Sequence, residues 1–113
     1  MGLADVRLTT QTLAVLSALL QDPTTPRYGL DLVREVGLKS GTLYPTLARL
    51  EEARWLESEW EAIDPRREHR PPRRLYRLTA AGEVAARTAM EEHLAKLGIR
   101  SRPLPTALRP RTT

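Results

Sequence analysis

The sequence predicts one mainly α-helical domain that carries a small β-hairpin. Apolar residues recur at helical spacing before residue 54 and again after residue 79. Residues 55–61 and 73–79 instead alternate two kinds of side chain, which is the period of a strand. A length of 113 residues fits one domain, and a core of this modest size is often stabilised further by dimerisation.

The charge balance favours a polyanionic partner. The chain has 18 Lys and Arg against 14 Asp and Glu, a formal net charge of +4. It has no cysteine, which excludes disulfides and thiolate metal sites. The first residues do not have the pattern of a signal peptide, and no apolar run approaches the roughly 20 residues of a membrane span. We therefore expect a cytoplasmic protein with no membrane partner.

The first helix is predicted from Thr9 or Thr10, either of which can cap its start, to about Gln21. Residues 1–8 precede it as an arm, and the prolines within residues 22–26 end it. Its apolar side carries Leu13, Leu16, Leu19 and Leu20. This side can pack in the core or share in a dimer interface, and the two roles are compatible.

A second helix is predicted over residues 28–36, with Leu30, Leu32 and Val33 directed inward. Gly37 is suited to its C-terminus because positive φ is inexpensive for glycine. Residues 38–40 then separate it from a third helix. Two short helices joined by such a turn form the helix-turn-helix pattern, which also occurs in ordinary helical domains.

The third helix has two unlike faces. Ser40 can cap its start, and Leu43, Leu47 and Leu50 form an apolar stripe. The opposite face is small, flat and mostly uncharged, as if another surface had to approach it; it consists of Gly41, Thr42, Tyr44, Pro45, Ala48 and Arg49. Pro45 implies that the helix begins nearer Thr42 or is slightly distorted. The helix should end near residues 53–54.

The hairpin is rich in arginine. Its strands, residues 55–61 and 73–79, place glutamates opposite arginines if they pair in antiparallel fashion. The connecting loop, residues 62–72, is too long for a tight turn. Residues 66–77 contain six arginines and one acid, Glu68.

Thr79 is predicted to cap a last helix over residues 80–97 that Gly98 closes. Ala86, Met90, Leu94 and Leu97 form a narrow apolar stripe suited to helix pairing. The stripe packs either against a second subunit, which we favour, or on its own domain. Residues 99–113 hold four arginines and three prolines without an acid, and a disordered basic tail is expected there.

Five segments together resemble the PadR family of winged helix-turn-helix transcriptional regulators, in its short form with a single C-terminal helix. They are Tyr28-Gly29, Ser40-Gly41-Thr42-Leu43-Tyr44-Pro45, Arg49-Leu50-Glu51-Glu52, Glu57-Ser58-Glu59-Trp60 and the run from Arg70 to Thr79. The resemblance covers roughly residues 10–97. It implies a DNA-binding domain over residues 9–79, whose hairpin is the wing, and a dimerisation helix over residues 80–98.

The resemblance further implies a homodimeric repressor that a small, often aromatic or cationic, effector releases from DNA. Arg54 and His69 stand where relatives commonly have Gly. If Arg54 must adopt the left-handed conformation, it carries a penalty on the order of 1 kcal/mol. His69 leaves open whether the loop makes the same turn.

The residue chemistry fits double-stranded DNA. The major groove admits one helix, whose N-terminal residues meet base edges, while wing arginines reach phosphates or the adjacent minor groove. The predicted DNA-binding residues are Lys39, Ser40, Gly41, Thr42, Tyr44, Pro45, Ala48, Arg49, Arg66, Arg67, Arg70 and Arg73. The predicted dimer interface consists of Leu13, Leu16, Ala86, Met90, Leu94 and Leu97.

Alternatives stay open at this stage. Tyr44 can belong partly to the core, and Arg73, Arg74 and Arg77 can pair with the strand glutamates. A winged-helix module that docks a partner protein, or a ligand-sensing dimer without specific DNA reading, would share the same fold. Catalysis, a cofactor or a metal site has no support, because His69 and His93 lie on different elements and no nucleophile or phosphate-loop motif is present.

Overall fold

The computed structural model describes residues 6–98, so most of the predicted arm and the whole predicted tail lie outside the described residues. The described part is mainly helical with one small antiparallel sheet, as predicted. Its elements are α1 (Thr10–Leu20), β1 (Arg27–Tyr28), α2 (Gly29–Val36), α3 (Ser40–Glu52), β2 (Leu56–Trp60), α4 (Pro65–Glu68), β3 (Arg74–Leu78) and α5 (Ala80–Lys96).

Threonine caps fix the starts of the first and last helices. The Thr9 side chain accepts a hydrogen bond from the Thr12 amide at 3.1 Å, and the Thr79 side chain accepts one from Gly82 at 2.8 Å. Each bond satisfies an amide that the helix itself leaves unpaired. Gly37 ends α2 with φ +78°, so both predicted caps and the predicted glycine end are confirmed.

The core forms around α1, which packs against α2, α3 and α5. Val15, Leu16 and Leu19 of α1 are fully buried, and so are Leu32 of α2 and the Leu43 stripe of α3. Full burial of such a side chain stabilises the fold by roughly 1.5–3 kcal/mol. Because α1 touches both α3 and α5, the third and last helices belong to one packed unit.

The sheet has three strands in the order β1-β3-β2, all antiparallel. In β2 and β3 the register pairs Leu56 with Leu78 and Glu57 with Arg77. The Glu57 carboxylate accepts a hydrogen bond from Arg77 Nε at 2.8 Å, which confirms the predicted pairing of glutamate with arginine across the ladder. The sequence did not predict β1, whose two residues pair with Leu75 and Tyr76.

Two details differ from the sequence-based prediction. Leu30 is 36% exposed and does not point into the core, where Leu32 is fully buried instead. Residues 62–72 are not a plain loop, because Asp64 accepts the Arg66 amide at 3.0 Å and so caps α4. Proline at the next position, Pro65, has the backbone angle that a helix start requires.

Two residues other than glycine adopt positive φ, among those described. Arg54 has φ +66° directly after α3, and His69 has φ +56° directly after α4. These are the two positions where the sequence resemblance predicts Gly, so the chain keeps the backbone conformation without the favoured residue. Left-handed backbone costs a residue with a Cβ roughly 1–2 kcal/mol.

Candidate nucleic-acid interface

The outward face of α3 is the flat surface that the sequence predicts. Leu43, Leu47 and Leu50 are fully buried against the core. The exposed side consists of Gly41, Thr42, Tyr44, Pro45, Ala48 and Arg49. The division between the two faces is therefore confirmed, whereas contact of the outer face with DNA stays a prediction.

The start of α3 differs from the predicted one. The helix begins at Ser40, so Lys39 occupies the capping position and offers no side-chain acceptor. Ser40 therefore does not cap the helix. Amides of a first turn that lack a side-chain acceptor are available to an anion, and they favour one because the helix dipole is positive at this end.

Helix α3 begins at Ser40 and not near Thr42, so Pro45 lies inside the helix. Its neighbour Thr46 is buried, and the Thr46 hydroxyl donates to the Thr42 carbonyl at 2.9 Å. The same hydroxyl oxygen accepts a hydrogen bond from Arg49 Nη2 at 3.2 Å. This chain of bonds orders the arginine along the outer face of the helix.

Tyr44 lies over the first residue of α2. A Cβ atom built on Gly29 would stand 2.7 Å from Tyr44 Cε1 and 3.0 Å from the Tyr44 hydroxyl oxygen. Only glycine at this position leaves room for the ring. Tyr44 nevertheless stays 40% exposed, so it is not a core residue, and it joins α2 to the outer face of α3.

A bidentate ion pair closes the base of the wing. Arg70 donates to both carboxylate oxygens of Glu61, at 2.6 and 3.2 Å, and the Arg73 amide donates to Glu61 Oε1 at 3.3 Å. The hydrogen bond from Arg70 is the main cause that holds the pKa of Glu61 below its usual range, and it raises the pKa of Arg70. Arg70, predicted to bind DNA, is thus engaged within the chain.

A second network joins the wing to α3. Arg74 Nε donates to the Ser58 hydroxyl at 3.0 Å, and Arg74 Nη2 lies 3.6 Å from a carboxylate oxygen of Glu51. The Ser58 hydroxyl donates in turn to Glu51. The Arg74 guanidinium also lies 4.9 Å from the centre of the Trp60 ring, which is 63% exposed. These contacts hold the wing at a fixed position beside α3.

Five basic residues of the predicted surface keep an uncompensated charge. Within residues 6–98, no carboxylate lies within 4.0 Å of Lys39, Arg49, Arg66, Arg67 or Arg73. Arg66 and Arg67 project from exposed α4. Arg73 stacks on the ring of Tyr28, 4.6 Å from its centre. Of the arginines that could pair with strand glutamates, Arg77 does so and Arg73 does not.

Tyr28 and Arg74 are the residues of this surface that the sequence-based prediction left out of the site. Tyr28 was assigned to the start of α2, although it stands just before that helix. Burial raises the pKa of another neighbouring phenol, Tyr76, whose ring packs against the core; the nearby Glu51 charge adds to the effect. The signal for Tyr28 is its place in the Tyr28-Gly29 pair, one of the five segments that carry the family resemblance.

The predicted dimer residues divide into two groups. Leu13 is 6% exposed, and Leu16 and Ala86 have no exposed surface, so these three pack inside the protomer. Their assignment to a dimer interface is corrected on that ground. Met90 and Leu94 are half-buried and Leu97 is 60% exposed, which leaves the second half of the α5 stripe open.

Neither a metal cluster nor a membrane span is found in the described part of the chain. Among residues 6–98, no three His, Cys, Asp or Glu side chains lie close enough together to hold a metal ion. Within the same residues, no helix combines the length and the apolar character that crossing a bilayer requires.

Two helices joined by a glycine turn, followed by a β-hairpin and a further helix, define a winged helix-turn-helix protein. Residues 15–88 match the transcriptional regulator PadR-like family, and the chain belongs to this family of transcription regulators. No curated protein matches the chain in sequence.

Solved structures agree with the assignment. A PadR-like transcription factor from Bacteroides fragilis is 27% identical, with a TM-score of 0.62 over 77% of this chain and 82% of that chain. A PadR family regulator from Clostridium difficile R20291 is 20% identical, with a TM-score of 0.63 over 80% of this chain and 92% of that chain. The adhesin competence repressor of Streptococcus pyogenes, at 19% identity and a TM-score of 0.61, covers 84% of this chain and 63% of that chain. The last two likenesses concern the fold alone.

Proposed function

We propose that this PadR-like protein is a sequence-specific, double-stranded DNA-binding transcriptional regulator without enzymatic activity. It reads a pseudo-palindromic operator as a homodimer and acts as a repressor. The observation that carries the proposal is the exposed face of α3, where small side chains lie in sequence between Lys39 and Arg49 and where Tyr44 shares a cleft with Arg73 of the wing. These three cations have no carboxylate within 4.0 Å among residues 6–98. Small residues permit close approach to base edges, and the cations match flanking phosphates.

The homodimer rests on the open part of the α5 stripe. Met90, Leu94 and Leu97 share one side of the last helix and are incompletely covered by their own domain. Burial of this stripe against a second copy removes apolar surface from water. A two-fold dimer presents two α3 helices, so the operator half-sites should lie one helical turn, or a multiple of it, apart.

The proposal includes release from DNA by a small molecule, and this part rests only on membership of the PadR-like family. A pocket for such an effector would lie near the paired α5 helices, where a ligand could change the angle between subunits.

Selection from a random duplex library tests the function. The recovered sequences are bound again at several salt concentrations beside a scrambled control of equal length. We expect an enriched inverted repeat and an affinity that falls steeply with salt, because bound cations release counterions from DNA. Binding that is indifferent to salt, without enrichment, would indicate a protein-docking module. Equal binding to the scrambled control would indicate a dimer that no longer reads sequence.

A further inference from the structure

A cleft of about 350 Å³ lies where β1, α3 and the wing meet. Three tyrosines and three arginines line it together with glycine and proline, and no carboxylate is among its lining residues. The six side chains are Tyr28, Tyr44, Tyr76, Arg70, Arg73 and Arg74. Phenol hydroxyls and guanidinium groups can all donate hydrogen bonds, so the cleft is suited to an anion.

Arg73 supplies the uncompensated charge of this cleft. Arg70 is paired with Glu61 and Arg74 with Glu51, whereas Arg73 has no carboxylate within 4.0 Å among residues 6–98. Its guanidinium lies 4.6 Å from the centre of the Tyr28 ring. Stacking on an aromatic face leaves the edge donors of a guanidinium free for a ligand and restricts the side chain beforehand.

Tyr44 is held in a position where it lines the same cleft. Any side chain at Gly29 would displace the Tyr44 ring, since a Cβ there would stand 2.7 Å from Tyr44 Cε1. Glycine therefore keeps the Tyr44 phenol at the junction between α2 and α3. Tyr28 and Tyr44 line the cleft from two different elements, with Arg73 of the wing beside them.

We propose that this cleft seats one phosphate diester of the DNA backbone, held by the Arg73 guanidinium and the hydroxyls of Tyr28 and Tyr44. The proposal rests on the proposed function and adds Tyr28 to the DNA-binding residues. The seat joins the base-reading helix to the wing. A phosphate fixed there sets the register of α3 along the groove, because backbone contacts position a protein while base contacts specify the sequence.

A scan with neutral linkages tests the seat. Single methylphosphonates are placed in turn along each strand of the selected operator, and wild type is compared with Tyr28→Phe and Arg73→Gln. At one position in each half-site, the neutral linkage should weaken wild type roughly tenfold, weaken Tyr28→Phe less, and leave Arg73→Gln nearly unchanged, because only that variant lacks the charge that meets the phosphate. Arg73→Gln should also lower the salt slope by about 0.9, the value for one phosphate contact.

The matched control is Arg87→Gln. Arg87 lies on α5 and pairs with Glu83, away from the cleft, so this variant should keep both the wild-type salt slope and its sensitivity to the neutral linkage. If wild type binds with a steep slope but both cleft variants respond to every linkage as wild type does, the seat is wrong and the proposed function stands. Wild type without salt-dependent binding overturns both.

A free anion is distinguished by titrating the protein alone with inorganic phosphate. Amide shifts of Gly29 are followed by NMR in wild type and in Arg73→Gln. Only weak shifts at tens of millimolar phosphate are expected for a seat that uses the DNA backbone. If the shifts in wild type saturate below about 1 mM phosphate, and this saturation is lost in Arg73→Gln, the cleft binds free phosphate specifically. That result would overturn the backbone assignment.

Discussion

At the scale of single residues, Arg54 holds a backbone conformation that its side chain disfavours. Its φ of +66° follows the end of α3, and its carbonyl accepts a hydrogen bond from the Thr79 hydroxyl at 2.9 Å. The bond ties the end of α3 to the start of α5. The strained residue is therefore kept in place by the structure around it.

We expect Arg54→Gly to raise the free energy of unfolding by about 0.5–1 kcal/mol, measured by urea denaturation. The relief of left-handed strain, roughly 1–2 kcal/mol, exceeds the entropy that glycine adds to the unfolded chain. Arg54→Ala is the control, because alanine keeps the Cβ atom and with it most of the strain. An equal gain for both variants would place the effect in the arginine side chain instead.

Gly82 and Gly41 both lie in helices, but substitution by alanine should have opposite effects on stability at the two positions. A Cβ at Gly82 would stand 2.0 Å from the Trp55 carbonyl oxygen, while nothing lies within 4 Å of one at Gly41. We expect Gly82→Ala to lower the free energy of unfolding by roughly 1–3 kcal/mol or more, because the added methyl group would collide with the Trp55 backbone. Gly41→Ala should raise it by roughly 0.5–1 kcal/mol and yet weaken operator binding. Thermal unfolding and binding assays on both variants check this.

Unchanged operator affinity for Gly41→Ala would contradict close approach of α3 to DNA. The fold gives no reason for glycine at this exposed position, so the functional explanation is the one under test. A destabilised Gly41→Ala would show that the helix start needs glycine for its backbone.

At the scale of elements, the wing depends on the pair of Glu61 and Arg70. Because the pKa of Glu61 is lowered in the folded chain, the pair stabilises the wing above the unfolded carboxyl pKa of about 4.3. That contribution is lost as the pH falls through the lower, folded pKa. We expect the Arg73 amide, which donates to Glu61, to exchange its hydrogen faster in Glu61→Gln at neutral pH.

Glu57→Gln is the matched change for this experiment. Glu57 pairs with Arg77 on the exposed strands and does not contact Arg73, so exchange at residue 73 should stay at the wild-type rate. Similar acceleration in both variants would mean that general loss of negative charge, and not the closure of the wing, controls the amide.

The sequence predicts the long elements well and the short ones poorly. Regular spacing in α1, α3 and α5 repeats over several turns, and the threonine caps at the starts of α1 and α5 act through local bonds. The two residues of β1 are too few to show a period, and their strand partners lie far away in the chain. Helix α4 could have been found, since Asp64 before Pro65 is a local start signal.

The sequence predicts which residues lie on the interface better than it predicts which of its arginines pair with carboxylates. The exposed side of α3 follows from helical geometry, because Leu43 and its stripe must be covered. Which arginines stay uncompensated depends on contacts across the hairpin. Sequence alone did not separate Arg73, stacked on Tyr28, from Arg70, paired with Glu61.

At the scale of the whole molecule, the open half of α5 makes the proposed dimer testable. Leu97 and Val84 are similarly exposed, at 60% and 67%, but they project from different sides of the helix. We expect Leu97→Asp to raise the dimer dissociation constant at least tenfold, while Val84→Asp leaves it unchanged. Sedimentation over a concentration series, with circular dichroism as a check of folding, measures both.

An equal loss of dimer affinity in the two variants would mean that the interface lies on another side of α5. Unchanged dimer affinity in both variants would mean that α5 is not part of the interface. Because α1 packs against both α3 and α5, a change in how two α5 helices meet also changes the distance between the two α3 helices. The affinity for operators of altered spacing should therefore follow the dimer contact.

Pro45 gives the exposed N-terminal half of α3 a property that concerns hydration. Proline has no N–H, so the Gly41 carbonyl does not receive the amide bond that a helix would supply four residues later. In the free protein, water can hydrate this oxygen on the exposed face. A base pair that displaces the water satisfies the oxygen only if it presents an amino group, which cytosine and adenine do in the major groove. A backbone atom, and not a side chain, would then favour one of these bases in the operator.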